Sequence, residues 1–366
     1  MPYAGEFVFS FLFDLGGEVR LADATKLLAT VGTAERIEPG KSAPTYVQIV
    51  RPLTLRYAPR KVETDKGAFD VAIEAHVYAI GAIAVVLRLP FRLASLAEVN
   101  DASHLRPRDG PNFEGIAREI VATLEARLKP ALVETYDADV EPEPYQVIVL
   151  TETELSAQDL FLQQRQALAG IVAGERRPER LSADEVRDNL RTWFSYYQDD
   201  LVIADWERAL VIEPSGKYDD VLSVMQSANL ELLELRAYDK YLDAVLERAY
   251  DDLTRFYGRG GLFRSARNVQ EELSEARIDL VRVTDTINNI GKIFGDYYLA
   301  KLHLGLAERF HLSEWESIVR EKMATLNELY TLASHEVEHR RGMALETIVV
   351  ILFVMDLVLI YLVSGK

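Results

Sequence analysis

The chain has 366 residues, 49% of them apolar, with 58 acidic against 41 basic side chains and a formal net charge of −17. That length and apolar fraction suffice for two or three domains with real cores, while the acidic balance opposes direct binding to a nucleic-acid backbone, which needs a dense positive face. The absence of cysteine excludes disulfides, thiolate metal sites and cysteine nucleophiles together, and fits a reducing compartment.

The first residues, MPYAGEFVFSFLFDLGG, hold an apolar stretch without a basic flank, so they read as alternating strand rather than as a signal or transit peptide. A strand is expected at 7–13, closed by Asp14, Gly16 and Gly17, with further strand-like stretches at 46–50 and 53–57 around Pro52. Residues 69–91 carry the strongest β signal. The first part alternates, and 76–87 is almost entirely apolar, as a central strand would be. A helix is expected at 113–128, stopped by Pro130, and a last strand at 145–150. This order predicts an α+β domain over 1–152 with its helices on one face of a sheet. Gly40-Lys41-Ser42 resembles the end of a phosphate loop, but Glu35 stands where that loop needs a glycine, and the motif is rejected.

Glu141-Pro-Glu-Pro reads as an extended spacer. Short helices and a β-hairpin turning near 205–208 complete the head over 153–216. From 217 to 342 the pattern becomes helical and coiled-coil-like. Leu235, Tyr238, Leu242, Val245, Ala249 and Phe256 form one stripe; Val269 to Leu304 continue a second, and Val319, Met323, Leu326, Tyr330, Ala333 and Val337 a third. The segment at 258–261 ends the first of these helices, and 288–291 is a candidate kink in the second. Such stripes fill either an internal bundle core or a self-association surface.

His335-Glu336-Val337-Glu338-His339 has the spacing of a zinc-protease helix, in which two histidines one turn apart hold the metal and the glutamate activates water. Its surroundings argue against that use. Glu338 lies between the histidines, Arg340 and Arg341 follow at once, and no third ligand is evident. No catalytic residue, metal or cofactor is expected, and the zinc set His335, Glu336 and His339 stands as the alternative.

Residues 343–363 are apolar apart from a few positions, including Glu346 and Asp356, and are long enough to be a transmembrane helix, since about 20 residues at 1.5 Å rise span about 30 Å. One central acid costs about 2.5–3.5 kcal/mol, which a dozen aliphatic residues outweigh. Arg340 and Arg341 at one end against Lys366 at the other orient the span with the N-terminal part cytoplasmic, making a C-terminal anchor in the cell inner membrane. Glu346 and Asp356 are expected at a helix–helix interface that holds an oligomer together. The alternative is a helix buried in a soluble oligomer.

Three segments together resemble the family named "required for meiotic nuclear division" (Rmd): the strand at 76–86, the helix from Asn229 to Asp239, and the tail Leu345-Glu-Thr-Ile-Val-Val-Ile-Leu-Phe-Val-Met-Asp356. The resemblance implies a non-enzymatic, membrane-associated assembly factor, here of bacterial type, and supplies no catalytic residues. The sequence thus predicts an α+β head, a helical stalk and a membrane anchor. It would act as a self-associating scaffold with a protein partner, the alternative being a membrane-edge zinc hydrolase.

Overall fold

The computed structural model describes residues 2–29, 31, 33–35, 52–133, 140–257 and 297–364. The expected strand at 46–50, the rejected phosphate-loop residues and most of the second helical stripe lie outside them. Two compact units divide the chain: 1–240 with 286–316, and 241–285 with 317–366.

The first unit is built on a nine-stranded sheet with β1 (Tyr3–Asp14) near its middle. β1 pairs antiparallel with β6 (Ala82–Leu93) on one side and β8 (Glu143–Glu152) on the other. Beyond β6 lie β5 (Gly67–Val77), β4 (Leu53–Thr64) and β3 (Thr33–Glu35). Beyond β8 lie β11 (Arg208–Ile212), β10 (Leu201–Ala204) and β9 (Trp193–Phe194), with β11 parallel to β8 and all other neighbours antiparallel. A separate short pair joins β2 (Glu18–Val19) to β7 (Leu132–Val133).

Period-two alternation decides what each face carries. The four phenylalanines of β1 fall on one face, where Phe7 stacks on Phe91 at 4.3 Å and Phe9 on Phe113 at 4.7 Å. On that side the sheet packs under α1 (Leu21–Leu28), α2 (Leu96–Ala102), α3 (Phe113–Leu128), α4 (Ala157–Gln163), α5 (Arg165–Ala173) and α6 (Ala183–Asn189), sharing one core. Several of these helices start on a side-chain cap that the sequence spells out. Ser95, Asn112, Ser156 and Ser182 each accept from the backbone N–H three residues on.

The opposite face carries Val8, Ser10 and Leu12 of β1, and it is covered in part by α7 (Asp219–Tyr257). Leu230 and Leu233 of α7 close over Leu12, Tyr78, Ala82 and Ala84. α8 (Tyr297–Arg309) lies against the β9–β11 end of the sheet, its Gly305 so near Phe194 that an added Cβ would sit 2.2 Å from the ring. Arg309 donates to Asp205 Oδ1 at 2.7 Å and to Asp188 at 3.2 Å, fixing α8 to the β10–β11 turn. Helices therefore flank both faces, in place of the one-sided arrangement expected, because both faces of the central strands are apolar.

The long apolar run at 76–87 is not one strand. It breaks at 78–81 into the β5–β6 hairpin, with Gly81 at φ +96° and the Tyr78 N–H bonded to Ala82 O at 2.9 Å.

The second unit contains the C-terminal part of α7 and most of α9 (Leu312–Ser364). Within it Leu242, Val245 and Ala249 of α7 and Val319 and Leu326 of α9 are buried, and Lys322 Nζ meets Asp243 Oδ1 at 2.6 Å. The membrane expectation is corrected here. Among the described residues no helix is long and apolar enough to cross a membrane. Glu346 and Asp356 stand inside the apolar stretch of this helix, and each carboxylate opposes entry into hydrocarbon. The transmembrane element of the fold, the tail anchor and the inner-membrane placement with a cytoplasmic N-terminal part are all withdrawn on that ground.

Candidate functional site

The expected site residues all fall on α9. His335 and His339 are exposed, as are Glu346 and Asp356; the side chains of Glu336, Arg340 and Arg341 are outside the description. Among the described residues no three histidine or carboxylate side chains gather as metal ligands.

The structure instead opens a polar cleft of about 800 Å³ on the α7 side of the sheet. Strand register builds its floor. Arg56 stands opposite Glu74, Glu74 opposite Val86, Val86 opposite Ser10 and Ser10 opposite Tyr145, so one row crosses five strands on one face. His76 and Arg88 occupy the rows on either side. The first turns of α7 form the other wall with Asp219, Asp220, Leu222, Ser223, Met225, Gln226 and Asn229.

The charges in the cleft are tied together. Arg88 donates to Glu6 Oε1 at 3.1 Å and to Asp219 Oδ1 at 3.0 Å, linking β6 to β1 and to the start of α7. Arg56 Nε donates to Glu74 Oε1 at 3.0 Å. His76 places Nε2 3.7 Å from Glu74 and Nδ1 2.8 Å from Gln226 Oε1, which also accepts from the Tyr78 hydroxyl at 2.9 Å. The His76 ring beside it, and then the hydrogen bond from Arg56, hold Glu74 down to about 2 against the effect of burial. Burial acts the other way on Glu6, raising it above the ordinary carboxyl value although Arg88 opposes the shift. The Tyr218 phenol is pushed up to about 12 by burial and then by Glu6. Among the described residues the Ser10 hydroxyl and Arg88 Nε have no hydrogen-bond partner.

Sequence reading missed this cleft because its members come from five strands and a helix far apart in the chain. The visible signal was the alternation in β5, where Glu74 and His76 share the face opposite Val71, Ile73 and Ala75.

A family model described as "Uncharacterized protein MJ0711, N-terminal domain" matches residues 4–219, more than half of the chain. The chain belongs to this family. Its matched region takes in the described strands, β1 from Ala4 on, and ends at Asp219, so the family domain supplies the floor of the cleft while Asp220 and the rest of the α7 wall follow it. One relative, "Uncharacterized protein MJ0711" of Methanocaldococcus jannaschii, is 24% identical over 225 residues, covering 61% of this chain and 67% of its own. No solved structure matches. Neither match supports the Rmd resemblance.

Proposed function

We propose that the protein is a non-catalytic, self-associating scaffold, with a protein partner assembled on it. The observation that supports this reading is the apolar stretch of α9. Ile348, Val349, Val350, Ile351, Leu352, Phe353, Val354 and Met355 are consecutive and each between 52% and 66% exposed, so the helix is apolar on every side and bare. In water such a helix needs to be surrounded, each half-exposed side chain gaining about 1 kcal/mol on burial. A second copy is the occupant that fits. Between 345 and 358 only Glu346 and Asp356 are charged, and identical helices close symmetrically around one another. Assembly is the part of the implied Rmd role that survives in this proposal.

The test is the mass of the full chain in solution by light scattering on a sizing column. An oligomer that dissociates on Ile351→Glu supports the scaffold. A monomer that binds lipid vesicles, or one carrying a zinc ion lost on His339→Ala, overturns it, the latter in favour of the hydrolase reading.

A further inference from the structure

The scaffold reading leaves the cleft unused, although its geometry is that of a ligand site. Its volume of about 800 Å³ is within the range of small-molecule pockets, and Val8, Val86, Val147, Leu222 and Met225 give it apolar walls. Ser10 is an independent observation. It is only 9% exposed, lies on the cleft floor in the middle of the sheet, and its hydroxyl has no hydrogen-bond partner. A buried hydroxyl in that condition costs on the order of 1 kcal/mol or more unless something meets it.

Charge settles the sign of the missing partner. Arg88 is already taken up by Glu6 and Asp219, and Arg56 by Glu74. Four carboxylates, Glu6, Glu74, Asp219 and Asp220, thus face two guanidinium groups, and Asp220 forms no ion pair among the described residues. The positive end of α7 does not reverse this balance, because Asp219 and Asp220 stand in its first turn. An anion would have to displace carboxylates from both arginines; a cation meets Asp220 directly.

We propose that the cleft between the sheet and α7 binds a small organic amine, its ammonium at Asp220, its apolar body on the valines, and a hydrogen-bonding atom at the Ser10 hydroxyl. The amine chain reaches from the α7 wall to Ser10 on the floor, and the family domain supplies every contact except those from Asp220 onward.

The experiment is calorimetric titration of the full chain with 5-amino-1-pentanol, pentylamine and pentanoate, at concentrations that would saturate a site with a Kd of about 1 mM. Both amines bind, and pentanoate does not. Asp220→Asn, an exposed change, weakens both amines by about tenfold, the scale of one charge-assisted hydrogen bond. Ser10→Ala weakens the amino alcohol and leaves pentylamine unchanged, which a merely structural role for Ser10 would not produce. Binding of pentanoate in place of the amines, absence of binding by all three, or amine binding untouched by Asp220→Asn overturns the proposal.

Discussion

Two glutamates on the α7 side of the sheet respond to pH in opposite directions. Glu234 on α7 is fully buried, and burial first, with Asp14 next, raises its carboxyl well above the usual value of 4.5. The folded state therefore holds this proton more tightly than the unfolded chain does. Its stability is full below 4.5 and falls as pH rises from there toward the folded value. Glu234→Gln keeps the shape and removes the titration. It should stabilise the protein on the order of 1 kcal/mol at neutral pH, with the urea midpoint of the variant no longer falling between mildly acid and neutral pH. Glu74 behaves conversely. Lowered from 4.5 to about 2, it contributes stability that is complete above 4.5 and lost as pH falls through about 2. Glu74→Gln should cost up to about 3 kcal/mol at neutral pH, measured by denaturant unfolding, and should flatten the acid limb of the stability profile.

At the level of single elements the β5–β6 hairpin is the most demanding. Gly81 sits at φ +96°, and a Cβ there would be 1.6 Å from the Gly17 carbonyl oxygen. Gly81→Ala is therefore expected to cost about 3 kcal/mol or more by denaturant unfolding, because both the backbone conformation and the space refuse a side chain. This turn also shows why the sequence was only partly readable. Its residues Tyr78, Ala79 and Ile80 are apolar, with none of the Asn, Asp or Pro that usually mark a reversal, since Tyr78 is buried under Leu230 and Leu233 of α7. A tertiary contact dictated the turn's composition, and the run passed for one strand. Helix α3, by contrast, has an asparagine cap, an amphipathic face and a proline just beyond it, so its bounds were legible from local chemistry alone. The cleft lies at the other extreme. Arg56, Glu74, Ser10 and Arg88 become neighbours only through strand register, which no local pattern records.

For the whole molecule, the proposed self-association through α9 predicts a stability that depends on protein concentration. The Tm of the full chain should rise as protein concentration increases, and Ile351→Glu should remove that dependence while leaving the sheet unit folded. The order of the strands has a different consequence, for synthesis. β1, with Phe7, Phe9, Phe11 and Phe13 along one side, is synthesised before both of its partners and takes its place between β6 (Ala82–Leu93) and β8 (Glu143–Glu152). The nascent chain must carry this phenylalanine-rich strand with both edges open until those partners have left the ribosome, the period in which an unpaired apolar strand is most exposed to aggregation and most in need of a chaperone.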